Sequence, residues 1–321
     1  MPSDESIEHY VTLFDNNYLP MGMCLHASLM KHAQSFHLWI LCIDELVEQQ
    51  LNVLSLPHVS LIPLREVESQ ELLDLKKTRT RAEYCWTLTP FTQQFVFDRD
   101  QNAEQVTYLD SDLYFFDSPR KLLDEFAESG KQVLITEHAY APEYDQTLTC
   151  GKYCVQFLTF KRSSGGSRVM KWWQARCLEW CYNRFEDGKF GDQKYLDIWP
   201  EQFPNEVHVS AQVEKILAPW NVQYFEKKDH TLSPIFYHFH SLKIIGINKV
   251  RLYAGYRIGS QGKELYSQYL DELSRSIKHM REFQLEVGYL PVSKESWRIL
   301  RTLKRELLGR GEMIAVLDRA I

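Results

Sequence analysis

Two aspartates that close an apolar run are the residues of this chain whose types and spacing point first to chemistry. The apolar run over 106–109 is followed by Asp110, Ser111 and Asp112. Two carboxylates at the end of a buried strand are costly to desolvate unless a cation or a hydrogen-bond donor pairs with them. A divalent cation with oxygen ligands would remove their repulsion. The alternative is an ordinary turn, because Asp and Ser are common turn residues.

The segments around these aspartates predict the sheet that positions them. Strand patterns over 9–14, 36–43, 59–64 and 105–109 alternate with helical patterns over 19–32, 45–54 and 83–97. This alternation predicts a mainly parallel sheet covered by helices. Ligands of such sheets bind at the carboxyl ends of the strands, where Asp15 and Asp110 lie. Asp44 also follows a strand, and we assign it as the cap of the next helix.

The second half of the chain carries a mixture of patterns. We predict strands over 132–136, 153–160, 216–225 and 234–245, a Ser/Gly loop over 163–167, and helices over 169–183, 262–285 and 293–308. Trp172, Trp173 and Trp180 are assigned to core packing. The last helix is basic and amphipathic, so it either lies on an anionic membrane surface or packs its apolar stripe on the rest of the protein.

Composition narrows the class of protein. The net charge of −6 argues against a nucleic-acid partner. No apolar run is long enough to span a bilayer, and the polar, acidic first eight residues do not resemble a secretory signal. Seven scattered cysteines fit reduced thiols. We therefore expect a cytoplasmic protein, with peripheral membrane contact through the last helix as an option.

Four segments in order carry a family resemblance. They are Asp15-Asn16-Asn17-Tyr18, Asp110-Ser111-Asp112, Gly191-Asp192-Gln193 and Tyr237-His238-Phe239-His240. Together they resemble the retaining, nucleotide-sugar-dependent glycosyltransferases of family 8, such as glycogenin and the lipopolysaccharide galactosyl- and glucosyltransferases. The resemblance covers residues 9–245. It implies an α/β, Rossmann-like GT-A fold, with a mainly parallel sheet flanked by helices. We expect a catalytic domain over 1–245 and a C-terminal helical extension over 246–321.

The resemblance also implies a metal site. Asp110 and Asp112 would bind Mn²⁺ or Mg²⁺ together with a late histidine, either His238 or His240. A set of carboxylate and imidazole ligands suits Mn²⁺ better than Ca²⁺. The ion would bridge the two phosphates of the donor and stabilise the charge on the leaving group.

Donor contacts follow from the same resemblance. Asp15, Asn17 and Tyr18 would recognise the base, which is expected to be uracil, and Asp110 would also touch the ribose. Ser111, which lies between the two aspartates, is also expected to contact the donor. Helix capping by residues 15–17 is compatible with that role. Lys243 would hold a phosphate as a point charge, although its spacing from His238 is one residue shorter than in the family.

Two more segments are assigned to the diphosphate and the transferred sugar. Arg81, with Arg79 nearby, suits the diphosphate or the donor sugar, or else both are solvated loop charges. Asp192 and Gln193 would lie beside the transferred sugar. The competing interpretation of Asp192 is a helix N-cap.

One segment departs from the family pattern. Cys154 and Gln156 stand where the family usually has Asn and Gly, so the identity of the sugar is not transferred. We expect metal-dependent transfer of a sugar from a nucleotide-diphosphate donor to a glycan or lipid-linked acceptor, with retention. The alternatives are a sugar-1-phosphate nucleotidyltransferase, whose Gly-rich phosphate loop is absent after the first strand, and an inactive nucleotide- or glycan-binding protein.

Overall fold

A computed structural model describes residues 7–290 and 312–317, and its chain divides into two compact, discontinuous units. The first unit comprises Met1–Asp15, Ala33–Ser111 and Ser118–Val213. The second comprises Asn16–His32, Asp112–Asp117 and Glu214–Ile321. The chain passes from one unit to the other between Ser111 and Asp112. These units differ from the predicted functional division at residue 245, which stays a prediction.

In the described part of the first unit, seven strands form one mixed sheet in the order β3-β2-β1-β4-β7-β6-β8. Their bounds are β1 Glu8–Phe14, β2 Phe36–Cys42, β3 Val59–Pro63, β4 Gln105–Leu109, β6 Val133–Glu137, β7 Tyr153–Lys161 and β8 Val207–Val209. β3, β2, β1 and β4 are parallel, as the sequence predicted, while β7 is antiparallel to both β4 and β6. All seven residues of β1 are buried, including the polar Glu8, His9 and Thr12, as expected of a central strand covered on both faces.

Helices flank this sheet, and capping side chains define where several of them begin. They are α2 Glu45–Leu54, α3 Gln70–Lys76, α4 Arg81–Leu88, α5 Thr92–Arg99, α6 Arg120–Glu128, α7 Thr147–Cys150, α8 Ser164–Glu179 and α9 Trp199–Gln202. The Asp44 side chain accepts a hydrogen bond from the Val47 N–H at 2.8 Å, so its assignment as a cap is confirmed. Thr80 and Glu83 form a capping box at the start of α4.

Two predicted helix boundaries of the first unit were wrong. The Ser/Gly segment over 163–167 is the start of α8, because the Ser163 side chain caps the helix by accepting from Gly166 N–H at 3.0 Å. The helix expected over 83–97 is interrupted at a 3₁₀ turn, Thr89–Phe91, where Pro90 cannot donate a backbone hydrogen bond.

Large aromatic side chains fill the core beside this sheet. Trp173 and Trp199 are fully buried, and their rings meet edge to face at 5.5 Å. Trp180 is 7% exposed and Trp172 is partly buried against the same cluster. The assignment of these tryptophans to packing is therefore confirmed.

The second unit contains α1 Leu19–His32, β5 Leu113–Phe115, β9 Ile216–Leu217, α10 Val222–Asp229, β10 Phe236–His238, β11 Lys243–Gly246, β12 Lys249–Ala254, α11 Ser260–Glu282 and β13 Glu312–Val316. Within the part that the structure describes, β5-β10-β9 and β11-β12-β13 form two three-stranded sheets. α1 and α11 pack together, with Cys24 Sγ 3.6 Å from Ser276 Oγ. Phe239 stacks on Tyr269 of α11 at 3.8 Å between ring centroids.

The late strand patterns were only partly right. β9 ends after two residues, because Asn221 folds the chain back: its Oδ1 accepts from Ala218 N–H at 2.8 Å, and α10 follows. The strand expected over 234–245 is divided into β10 and β11, with Ser241 between them at φ 68°. The predicted C-terminal helical extension over 246–321 contains the 23-residue helix α11, and the structure adds β12 and β13 within the same range.

The helix predicted over 293–308 lies outside the described residues, and with it the predicted membrane contact. Among the residues that are described, no helix combines the length and the apolar character that crossing a bilayer requires.

Candidate functional site

The carboxyl end of β1 carries an ion-pair network in the first unit. Asp15 follows β1 directly and is 9% exposed. Arg81 Nε lies 2.8 Å from Asp15 Oδ2, and the same guanidinium contacts the Asp44 carboxylate. Because β1 and β2 are parallel neighbours, their C-terminal acids share one arginine at this edge. Half of the Arg81 side chain remains exposed, so its charge is available to a ligand.

Arg79, by contrast, is a structural residue. It is 6% exposed, and its guanidinium donates at 2.8 Å to the carbonyl oxygens of Cys177 and Leu178. It also contacts the Thr87 hydroxyl. These bonds tie the segment before α4 to the end of α8, and the solvated alternative for Arg79 was wrong.

The end of β4 presents Asp110 at the same edge of the sheet. The Asp110 N–H donates to the Gln156 carbonyl at 3.0 Å, and the Tyr108 hydroxyl donates to Asp110 Oδ1 at 2.9 Å. Cys154 Sγ lies within 4.8 Å of an Asp110 carboxylate oxygen. Of the two departures from the family pattern, Cys154 therefore lies near Asp110 with its side chain, and Gln156 contacts Asp110 through its backbone carbonyl.

Asp192 is a buried carboxyl in the first unit, 3% exposed. Burial raises its pKa to about 7, and the negative charge of Asp110 adds to the effect. The Thr89 hydroxyl, which donates to the Cys85 carbonyl at 3.1 Å, lies close enough to the carboxyl group to oppose this rise. Asp192 Oδ2 nevertheless has no hydrogen-bond partner within residues 7–290 and 312–317. This oxygen is therefore free to accept a hydrogen bond from a ligand hydroxyl.

The backbone around Asp192 is fixed on both sides. Trp173 Nε1 donates to the Asp192 carbonyl at 2.9 Å, and the Gln193 side-chain amide donates to the Cys150 carbonyl at 2.8 Å. Asp192 is the N-cap residue of the 3₁₀ helix Gln193–Ile198, as the competing interpretation expected, but its side chain makes no capping hydrogen bond to that helix. Gln193 is partly exposed, and its amide orientation is set by Cys150.

The second unit contains a close carboxylate–imidazole pair. His238 Nε2 lies 3.1 Å from Asp112 Oδ1, and the two side chains are 6% and 15% exposed. Burial alone would raise the pKa of Asp112, but His238 and then His240 more than offset it, and the pKa lies below its usual value. The pair is held by β5 and β10, because the Phe239 N–H donates to the Asp112 carbonyl at 2.9 Å.

His240 lies beside this pair. Its ring centroid is 5.6 Å from that of His238, and the residue is exposed. Partial desolvation of the ring by the surrounding protein, followed by the charge of His238, lowers the pKa of His240 to about 4. Trp220 meets both imidazoles edge on, at 5.5 Å and 5.4 Å. In the described structure, the direct contact with Asp112 is made by His238.

Among the remaining predicted donor contacts, Ser111 lies in the first unit and is 9% exposed, whereas Lys243, Asn17 and Tyr18 belong to the second unit. Lys243 opens β11 opposite Arg251 in the strand register, and burial followed by the Arg251 charge lowers its pKa. Asn17 and Tyr18 are partly exposed in a 3₁₀ turn, Asn16–Tyr18. The backbone of Gly288 lies directly on this turn. A Cβ atom at Gly288 would be 2.7 Å from the Asn16 carbonyl oxygen and 2.8 Å from the Asn17 Cα.

Sequence reasoning missed several partners of the site residues. Asp44 shares Arg81 with Asp15, Thr89 contacts Asp192, and Trp220 contacts both histidines. The Pro219-Trp220-Asn221 segment, which precedes the histidines in the chain, was the only hint of Trp220 in the sequence. The Thr89 contact depends on the 3₁₀ turn after α4, and no spacing rule predicts it.

Comparison with known proteins places the chain among glycosyl transferases. A model of glycosyl transferase family 8 matches residues 9–167. The protein YfnF of Bacillus subtilis (strain 168) is 34% identical over 257 residues, which cover 75% of this chain and 84% of YfnF. YfnD of the same organism is 31% identical over 289 residues, 85% of this chain and 91% of YfnD. Both of these relatives are uncharacterized.

Solved structures show the same fold at low identity. The galactosyltransferase LgtC, in complex with donor and acceptor sugar analogs, aligns with a TM-score of 0.51 and 13% identity, over 90% of this chain and 99% of LgtC. The apo glycosyltransferase GlyE of Streptococcus pneumoniae TIGR4 aligns with a TM-score of 0.50 and 14% identity, over 88% of this chain and 66% of GlyE. The expected GT-A architecture is confirmed.

Proposed function

Since the chain belongs to glycosyl transferase family 8 and is a glycosyltransferase, we propose that it transfers a sugar from a UDP-linked donor to a glycan or lipid-linked acceptor. The proposed reaction uses Mn²⁺ or Mg²⁺ and retains the configuration at the transferred carbon. The nucleotidyltransferase alternative is set aside, because the family is one of glycosyl transferases.

The observation that carries the proposal is the 3.1 Å contact between Asp112 and His238. A carboxylate oxygen and an imidazole nitrogen point at each other in a mostly buried position, which is the mixed donor set that Mn²⁺ accepts. The residues therefore fit the metal. We propose Asp112 and His238 as ligands, with Asp110 assigned from its place two residues earlier in the chain. His240 is the alternative imidazole ligand.

The chemistry of the step sets what each residue must do. When the bond to the sugar breaks, negative charge grows on the diphosphate, and a bound divalent ion stabilises that charge as a Lewis acid. Arg81 and Lys243 are proposed to add positive charge at the phosphates. Asp192 is proposed to bind hydroxyls of the sugar and Gln193 to lie near the reacting carbon. In retaining transfer of this kind, the leaving phosphate accepts the proton of the acceptor hydroxyl.

The nucleotide is proposed to bind at the carboxyl ends of β1 and β4. Asp15, Asn17 and Tyr18 offer an acceptor, an amide and a ring, which suit hydrogen bonding to uracil and stacking on it. Asp110 is proposed to bind the ribose and Ser111 to contact the donor. The burial of Asp15 and its pairing with Arg81 support a rigid nucleotide-binding position at this edge of the sheet.

Calorimetric titration tests the proposal directly. UDP, GDP, CDP and dTDP are titrated into the full chain with and without 1 mM Mn²⁺, chosen as about the order needed to load a moderate metal site. We expect binding of UDP that is at least about tenfold tighter with Mn²⁺, because a metal ion held by Asp112 and His238 would attract the negative charge of the diphosphate. Absence of metal-dependent binding for all four nucleotides would refute the proposal.

A further inference from the structure

An aromatic side chain stands beside the orphaned carboxyl of Asp192 in the first unit. Trp86 lies in α4 and is partly exposed. Its six-membered ring packs on the backbone of Gly191, where a Cβ atom would be 3.3 Å from Trp86 Cε3. Gly191 also has φ +53°, a conformation that favours glycine. The residue before Asp192 is therefore shaped to let the indole ring approach.

A second ring extends this surface. Phe190 is partly exposed, and its ring centroid is 6.2 Å from that of Trp86, at an interplanar angle of 44°. Core aromatic residues of this protein, such as Trp173 and Trp199, are fully buried. Trp86 and Phe190 instead keep part of their apolar surface open on the chain segment that leads into Asp192.

The same local structure directs a polar group to Asp192. Thr89 follows Trp86 by three residues, which places both on one side of α4 and the turn after it. The Thr89 hydroxyl donates to the Cys85 carbonyl at 3.1 Å and lies close enough to the Asp192 carboxyl group to lower its pKa, while Asp192 Oδ2, which is nine-tenths buried, has no hydrogen-bond partner among residues 7–290 and 312–317. One helix thus supplies an aromatic ring and a hydroxyl on the side of Asp192.

This combination matches the chemistry of a pyranose ring. A hexose presents a face of C–H groups that packs on an aromatic ring and a rim of hydroxyls that donate to carboxylates. We propose that Trp86 is the surface on which the sugar ring of the donor stacks, while Asp192 Oδ2 accepts its hydroxyl hydrogen bonds. The inference rests on the proposed function and adds to it the residue that determines sugar binding.

The test compares sugar binding with nucleotide binding in the same proteins. Dissociation constants for UDP, UDP-glucose, UDP-galactose and UDP-N-acetylglucosamine are measured with Mn²⁺ for wild type, Trp86→Ala and Trp86→Phe. The quantity that matters is the ratio of the Kd of the tightest UDP-sugar to the Kd of UDP. We expect Trp86→Ala to raise this ratio about tenfold, the value of one aromatic stacking contact. Trp86→Phe should restore most of the loss.

Phe185→Ala is the matched control. Phe185 is an aromatic residue, 51% exposed, in the same connection between α8 and Gly191, and it has no place in the proposed sugar site. We expect its ratio to equal that of wild type. Thermal unfolding of each variant checks that the fold is kept.

The outcomes separate this inference from the proposed function. If wild type fails to bind UDP with Mn²⁺, the proposed function fails first. If wild type binds UDP but Trp86→Ala leaves the ratio unchanged, the stacking role is overturned. A Trp86→Ala variant that loses UDP and UDP-sugar binding equally would show a structural role and would also overturn it.

Discussion

Two buried aspartates in different units of this protein, Asp112 and Asp192, are held in opposite electrostatic states. Asp112 lies 3.1 Å from His238, and the imidazoles keep its pKa below the usual value although burial opposes this. Asp192 has Asp110 as its charged neighbour, and burial raises its pKa to about 7. Burial is common to both residues, so the sign of the neighbouring charge separates Asp112, which is ionised at neutral pH, from Asp192, which is about half protonated there.

This difference in pKa suits the two residues to the different roles that we propose for them. An ionised carboxylate beside an imidazole suits a metal ion, which needs lone pairs from both. A carboxyl that titrates near neutral pH can both accept and donate hydrogen bonds, which suits the hydroxyls of a sugar. Substitutions that remove the charge of either aspartate, or the imidazole partner of Asp112, test this difference.

The largest expected effect is on Asp112. Asp112→Asn keeps the shape of the side chain but removes its charge, and we expect UDP-sugar hydrolysis with Mn²⁺ to fall about 1,000-fold in kcat/KM, since stabilisation of the leaving group by the metal amounts to several kcal/mol. Asp271→Asn, an exposed substitution in α11, is the control and should retain full activity. An Asp112→Asn enzyme within tenfold of wild type would contradict the metal role.

The histidine pair gives the next largest effect. His238 contacts Asp112 directly, whereas His240 is the more exposed neighbour. We expect His238→Ala to weaken Mn²⁺ binding to the UDP complex about 100-fold and His240→Ala about tenfold or less, as for a residue that supports a ligand. Calorimetric Mn²⁺ titration measures both. The reverse order would make His240 the ligand.

The smallest expected effect is on stability. The folded-state pKa of Asp192, about 7, lies above that of an unfolded Asp, so the folded state binds the extra proton between these values. Its contribution to the free energy of unfolding is therefore complete at low pH and is lost as pH rises from about 4 to 7, by no more than about 4 kcal/mol. Urea unfolding of the metal-free protein at pH 5 and pH 7.5 measures this decline.

The Asp192→Asn variant separates the contribution of Asp192 to the pH dependence of stability from the contributions of other titrating groups. We expect the variant to lose less stability than wild type between the two pH values, because the amide does not ionise. The burial-lowered pKa values of His9 and His37 change stability equally in both proteins and cancel in the comparison. An identical pH dependence of wild type and variant would show that Asp192 does not titrate as described.

Local sequence patterns predicted the bounds of those helices and strands whose apolar periodicity is clear. The helix Leu19–His32 and the strand Gln105–Leu109 have the predicted bounds, since apolar periodicity and the following aspartates define them. Predictions failed where a side chain overrides composition. Ser163 turns a Ser/Gly segment into the first turn of α8, and Asn221 ends an apolar strand pattern after two residues.

The candidate site was predictable to a similar degree. Asp15 and Asp110 could be placed because the ends of parallel strands converge at one edge of a sheet. The pairing of Asp112 with His238 needed a resemblance to a family, because more than a hundred residues separate them. The contact of Trp86 with Gly191 was invisible in the sequence, since it depends on the packing of α4 against a distant turn.

The close approach of Gly288 to the turn at Asn16 and Asn17 has a consequence for how this enzyme could change over evolution. Position 288 has room for a hydrogen atom and nothing larger, so even an alanine would push on the two residues that precede Tyr18. If this turn recognises the base, as we propose, substitution of Gly288 would alter nucleotide affinity although the residue lies far downstream in the chain. The segment after α11 would then complete the nucleotide site from the other end of the sequence.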